Sequence, residues 1–404
     1  MVSYHTYQGT YAMRATAILQ RCFAKDLHSI HKARLKSVFF GVDALLRGGR
    51  LSLTELGRAA RGRVLPKHNI KRIDRLLGNP HLARELPEFC AAMAAFLVGD
   101  VARPTVLVDW TRIGENHYAL VASIPRDGRA MPLYYEVHSK YRLSNPEVER
   151  RFLHQLRRVL PAHCRPTIVT DGGYRNPWFG EVQAMGWDYV GRLSTHVYVR
   201  ALKGSKWSRN DALEQAASSR PRDLGLCAIA RTRPMTHRVV VAPKFKRNPT
   251  RSPAARRRSD RGRGHQRTKD RNCVPWVLAT SREDLSAKQV IALYALRMQI
   301  EETFRDTKNI RDRWSFRHAL ARSKSRYAIL LLLAALAGFV LTVIAIAAEK
   351  KQLHLRYQAN TIRDRRVLSL FHLGKAILAR ARPGEFAHLD IKNACKYIQA
   401  TETT

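Results

Sequence analysis

The chain has 404 residues, enough for two or three domains, and its 45% hydrophobic content excludes wholesale disorder. Lys and Arg number 72 against 32 Asp and Glu, a net charge of +40 spread along most of the chain. The expected partner is therefore a polyanion, and nucleic acid rather than a membrane surface, because the excess does not sit on one amphipathic helix.

The six cysteines (Cys22, Cys90, Cys164, Cys227, Cys273 and Cys395) are scattered without a CxxC pair, which argues against a zinc module or a disulfide framework. They read as thiols of a reducing compartment. The opening MVSYHTYQGTYAMRAT lacks a charged-then-apolar signal pattern, so a cytoplasmic location is expected.

Residues from about Leu27 to Leu82 read as short helices. The first spans His31 to Leu46 and is broken by Gly48-Gly49; the second starts within LSLTEL at Leu51. Pro66 opens the third, which carries Lys67, His68, Lys71, Arg72 and Arg75 on its polar side and Ile70, Ile73, Leu76 and Leu77 on its apolar side. Short helices joined by tight turns, the last strongly basic, resemble a helix-turn-helix with a groove-reading helix; the bland alternative is a small bundle with a solvated basic face. A further helix is expected from Leu86 to Leu97. This helical region, 1–98, is expected to be a DNA-binding domain.

From Pro104 the period changes. Thr105 to Asp109 is a short apolar run ending in an acid, His117 to Ile124 a second strand, Asp127-Gly128 a hairpin turn and Met131 to His138 a third strand. Asn145-Pro146-Glu147 supplies an N-cap, a first-turn proline and a dipole-matched acid for a helix through Leu160. Pro166 to Gly173 repeats the apolar strand ending in an acid, here Asp171; a helix over Pro177 to Met185 and a strand over Asp188 to Leu193 follow. This is the element order of the ribonuclease H-like fold, an α/β sheet with helices on both faces.

Residues 195–285 read as a β-rich, basic insertion. It includes the Pro/Gly/Ser-rich stretch Lys244 to Arg271, expected to be a solvated loop that touches phosphates. Pro275 to Thr280 resumes as a strand. ALYALRMQIEETFRDTK, Ala292 to Lys308, reads as one helix on which Tyr294, Arg297, Glu301 and Lys308 share an arc of roughly 60°. Tyr327 to Ala348 is uncharged and long enough to span a bilayer, but it is expected to be the buried central helix of a soluble domain. The catalytic domain is thus expected over 99–350, with a helical region at 351–404.

Asp109 and Asp171 from strands and Glu301 from a helix form a carboxylate set suited to two divalent ions. Hard oxygen ligands select magnesium, with manganese as the substitute, and such a pair clamps the entering and leaving oxygens of an in-line phosphoryl transfer. Each acid alone could equally be a turn or surface residue.

VLVDW, IVTDGGY with the nearby NPWF, and Y-x-x-R-x-x-x-E-x-x-x-x-x-x-K (Tyr294, Arg297, Glu301, Lys308) resemble the DDE-type bacterial insertion-sequence transposases, in the hairpin-forming group with the Y-R-E-K signature found in composite resistance transposons. LTELGR, KHNIKRIDRLLGN, PWVLAT and RMQIEETFRD extend the resemblance over most of the chain. It implies that Asp109, Asp171 and Glu301 bind two metal ions and that Tyr294, Arg297 and Lys308 hold phosphates near the transposon end. Trp276, in a W-x-L-x-T setting, would stack on a flipped base; the alternative is a core aromatic. The implied partners are double-stranded DNA, both transposon ends and target, and a second copy of the chain in a synaptic homodimer whose contacts include the C-terminal region. The implied activity is cut-and-paste transposition through a hairpin. The alternatives are a structure-selective nuclease or resolvase without strand transfer, a regulator with a decayed site, and a membrane protein.

Overall fold

The computed structural model describes residues 17–23, 25–60, 64–244, 274–308, 314–359, 361–380 and 389–399. The expected basic loop, Lys244 to Arg271, lies outside them apart from Lys244. By compactness the chain forms two units, Met1–Pro166 with Met298–Thr404, and Thr167–Arg297.

The first unit begins with α1 (17–23) and α2 (Lys32–Leu46), the latter capped by His31 and burying Val38, Phe39, Val42 and Leu45. Ser52 accepts from the Glu55 N–H to start α3 (Leu53–Ala59), and Pro66 stands in the first turn of α4 (Pro66–Leu77). These two helices pack together because position 57 is glycine. A Cβ there would lie 2.6 Å from the Ile70 Cα. Next comes α5 (Pro80–Val98), which starts six residues earlier than expected. Asn79 caps it from two backbone N–H groups, with Pro80 in the first turn, so Pro87 falls inside the helix rather than marking its start.

Strands β1 (Thr105–Arg112), β2 (His117–Arg126) and β3 (Arg129–Ser139) then form an antiparallel meander in the order β3-β2-β1. Asp127 and Gly128 both have positive φ (47° and 84°), the backbone that a two-residue hairpin of matching twist requires. Helix α6 (Pro146–Val159) is capped by Asn145 as expected, and Val148, Phe152, Leu156 and Val159 are buried.

In the second unit β4 (Thr167–Thr170), α7 (Asn176–Ala184) and β5 (Asp188–Arg192) make a parallel crossover. The insertion extends that sheet instead of standing apart from it. Here β6 (Tyr198–Ala201), β7 (Ser208–Arg209), β8 (Arg222–Ile229), β9 (Met235–Val241) and β10 (Val277–Thr280) continue it in the order β4-β5-β10-β9-β8-β6-β7. Helix α8 (Asn210–Gln215), invisible to the sequence reading, follows β7, and α9 (Ala287–Ala295) follows β10 from a capping box at Ser286.

His237 on β9 is buried between the Tyr189 hydroxyl (2.6 Å from Nδ1) and the Asn176 carboxamide oxygen (3.3 Å from Nε2). Burial lowers its pKa to about 4. The folded pKa thus lies below that of the unfolded chain, which takes up the proton first as pH falls through 6.5. Between pH 6.5 and 4 this costs the second unit stability at a slope approaching about 1.4 kcal/mol per pH unit. Urea midpoints at pH 7 and pH 5 are expected to differ accordingly and to draw together in His237→Gln; an unchanged difference in that variant would contradict the assignment.

The chain then returns to the first unit with α10 (Met298–Lys308) and α11 (Lys324–Lys350), followed by α12 (His354–Tyr357), α13 (Leu370–Arg380) and α14 (Ile391–Tyr397). Helix α11 is long and apolar enough to cross a membrane by length and composition, yet 78% of its most apolar window is buried. It packs against β3, α2, α5, α13 and α14, and each buried Leu or Ile contributes ~1.5–3 kcal/mol. Gly374 brings α13 directly onto the Leu341 backbone, where a Cβ would collide with the carbonyl oxygen.

Candidate active site

The expected single helix over Ala292 to Lys308 is two helices, α9 and α10, with a break at Leu296–Arg297. No glycine or proline marks it. The Leu296 and Arg297 N–H groups turn back to the carbonyls of Leu293 and Tyr294, three residues earlier, and tighten the last turn of α9. Helix α9 packs on β4, β5 and β9 of the second unit, whereas α10 packs on β1, β2 and β3 of the first. Tertiary packing overrides helical continuity, and the signature residues divide between the units as Tyr294 and Arg297, and Glu301 and Lys308.

In the first unit, α10 is fixed in rotation by buried Ile300 and Phe304 and by two polar ties to β3. The Ala130 N–H donates to the Thr303 hydroxyl at 2.8 Å, and Arg129 pairs with Asp306 at 2.7 Å. Glu301 and Lys308, seven residues apart, consequently share a side. Asp109 is not at the end of its strand as expected. β1 continues to Arg112, and Asp109 lies within it opposite Val121, half-buried, with its carboxylate accepting from the Trp110 N–H at 2.7 Å. Trp110 is held in turn by a 3.1 Å bond from its indole to Glu149.

Lys308 ties these groups together. Crowding by neighbouring protein atoms lowers the pKa of its ammonium, although part of the side chain stays in solvent; Asp109 and Glu301 act in the opposite sense, and Arg317 adds to the lowering. Glu302, the neighbouring acid, is engaged elsewhere, 2.7 Å from Arg305 and 4.0 Å from Arg129.

In the second unit, Asp171 follows β4 directly and accepts from the Gly173 N–H at 2.9 Å. Tyr294 was expected on an open border but is 2% exposed. Burial raises its pKa, Arg297 and Arg192 lower it, and Asp171 raises it, so these four residues share one electrostatic neighbourhood. The Arg297 guanidinium lies 5.7 Å from the Tyr294 ring centre, and the half-buried Trp276 packs edge-on against the same ring at 4.8 Å. Arg192 was missed by the sequence reading; its only signal was a cation near the end of the strand DYVGRL.

Asp109 and Glu301, which both favour the charged form of Lys308, are hard oxygen donors of the kind that suits magnesium or manganese. Among the described residues no group of three or more His, Cys, Asp or Glu stands ready to hold a metal ion. On α4, Lys67, Lys71 and Arg75 are exposed, while the Arg72 guanidinium stacks on the Phe40 ring at 3.6 Å.

The sequence pattern of one family, described as Transposase DDE domain, matches residues 103–337, more than half of the chain and a span that includes Asp109, Asp171 and Glu301. No curated protein matches. Among solved structures, the chain is similar to one titled "Cryo-EM structure of piggyBac transposase synaptic complex with hairpin DNA". The identity is 10%, 96% of this chain and 83% of that chain are covered, and the TM-score is 0.39, a likeness too weak to carry a structural argument.

Proposed function

The chain belongs to the transposase DDE family, and from that premise we propose that it moves its own element by cut-and-paste transposition through a hairpin intermediate. It acts on DNA in the cytoplasm as a homodimer that bridges two element ends. Asp109, Asp171 and Glu301 supply the carboxylates, and Lys308 and Arg297 hold phosphate oxygens of the end, with buried Tyr294 behind Arg297 rather than on the DNA. The observation that carries this reading is the family match, which spans Asp109, Asp171 and Glu301. Within the first unit α10, which bears Glu301 and Lys308, packs on β1, which bears Asp109.

Divalent magnesium or manganese, held as a pair by the three acids, would supply Lewis-acid assistance to in-line phosphoryl transfer. Water attacks the phosphorus at the end, the bond to the 3′-oxygen breaks and a 3′-hydroxyl is released. That hydroxyl attacks the opposite strand, exchanging one phosphodiester for another and closing a hairpin. Hydrolysis reopens the hairpin, and the same hydroxyl then joins target DNA. Through each exchange charge builds on the non-bridging oxygens, where the Lys308 ammonium and the Arg297 guanidinium stabilise it. Buried Tyr294 fixes the direction of Arg297 and supports Trp276, which stacks on a base displaced as the hairpin closes. Lys67, Lys71 and Arg75 on α4 anchor the N-terminal helices on the duplex, and Arg72, held against Phe40, adds its charge to that face.

The test is metal dependence on the element's own terminus. Bound to that DNA in calcium, the chain is expected to leave it intact; a shift to magnesium should nick it at the end, and a chelator should prevent this. Nicking that persists in chelator would overturn the reading. Nicking without later joining would favour a nuclease or resolvase.

A further inference from the structure

A cleft of about 970 Å³ opens in the first unit between the β1–β2 turn and the segment from Phe316 to Arg322. Its rim is basic. Among the described residues, Arg112, Lys308, Arg317 and Arg322 line it together with one acid, Glu115. The turn is built firmly: Arg112 donates to the carbonyl oxygens of Gly114 and Glu115 at 3.0 and 3.1 Å. Tyr327 fills the space beside Gly114, where no Cβ would fit, and its ring lies tilted against His117 at 5.0 Å.

Leu320 stands at the mouth of this cleft. It is 86% exposed and has φ 47°, a left-handed backbone that a leucine rarely adopts. An apolar side chain held in water on a strained backbone gains nothing from the core, and such outliers concentrate where a ligand is met. A second exposed group stands beside the β1–β2 turn, outside the cleft lining. The Lys140 N–H donates to the Asn116 carbonyl at 3.0 Å, which straps the short turn Lys140–Arg142 to it and sets Tyr141, 83% exposed, between two further cations. Basic side chains interleaved with exposed apolar and aromatic ones match a nucleic acid, whose phosphates take the cations and whose base steps accept apolar wedges.

We propose that this cleft binds the duplex beside the scissile phosphate, with phosphates on Arg112, Arg317 and Arg322 and Leu320 wedged into the neighbouring base step. The proposal rests on the transposase reading above. Lys308 decides which DNA is held, because it belongs both to the cleft and to the Asp109–Glu301 neighbourhood. Opening that base step is what a strand needs before it can bend back on itself to close a hairpin.

The experiment uses the full chain and a duplex of its element's terminus with 2-aminopurine at the step beside the cut, in calcium so that binding proceeds without cleavage. Wild-type chain is expected to raise the reporter fluorescence several-fold. Leu320→Ala should abolish the rise while keeping affinity, and Leu320→Met should restore it. In Arg317→Gln/Arg322→Gln the salt dependence of binding should fall by a slope of about 2, two phosphate contacts at ~0.9 each. A rise unchanged in Leu320→Ala overturns the wedge, and a rise only with unrelated target duplex overturns the choice of end DNA. Wild-type chain that binds and nicks the terminus without the rise fails this inference alone, whereas a chain that neither binds nor nicks it fails the transposase reading as well.

Discussion

Glu301→Gln is expected to cut end cleavage in magnesium by on the order of 10³-fold, the loss that follows removal of one preorganised electrostatic group. Affinity for end DNA should change by less than about threefold, under 1 kcal/mol. The amide keeps the size of the side chain and leaves α10 in place, since Ile300, Phe304 and the Thr303–Ala130 bond hold that helix without Glu301. Lys308 would lose one of the two carboxylates that favour its charged form. Glu302→Gln is the control, because that acid is taken up by Arg305 and Arg129; it should cleave at nearly the wild-type rate. Full activity in Glu301→Gln, or the loss appearing in Glu302→Gln instead, would remove Glu301 from the site.

Trp276→Ala separates two steps of the reaction. Nicking needs the carboxylates and should survive within a few-fold, whereas hairpin closure should slow about 10–100-fold, as expected when stacking worth ~1–3 kcal/mol is withdrawn from a displaced base. Trp276 is half-buried just before β10 and meets the Tyr294 ring at 4.8 Å in a T-shaped pair. Trp276→Phe keeps a stacking face and should restore much of the closure rate. Equal slowing of both steps, together with a lower thermal midpoint, would instead assign the ring to packing beneath Tyr294 and Arg297.

Much of this architecture is written locally. Asn145-Pro146-Glu147 launches α6, Asp127-Gly128 makes the β2–β3 turn, and the β-branched runs before Asp109 and Asp171 are strands. Where the reading failed, the cause was tertiary. Nothing between Ala292 and Lys308 opposes a continuous helix, yet the segment breaks at Leu296–Arg297 because its halves pack on different strands. The break also changes the meaning of Tyr294, which spacing made an exposed neighbour of Glu301 and burial makes the support of Arg297 and Trp276. Arg72 is similar: its place on a basic face is legible, while its stacking on Phe40 depends on a helix some thirty residues earlier. The cleft that exposes Leu320 had no signature at all, since a positive φ at leucine follows from how the segment is held and not from its own preference.

The most direct test of transposition is to incubate the chain in magnesium with linear DNA that carries both ends of its element and a separate target, then to resolve the strands under denaturing conditions. The expected products are nicks at the ends, then hairpin-closed ends, then ends joined through their 3′-hydroxyls to the target, all absent with Asp109→Asn, Asp171→Asn or Glu301→Gln. Joined products that persist in any of the three variants, or cutting that ignores the ends, would contradict it.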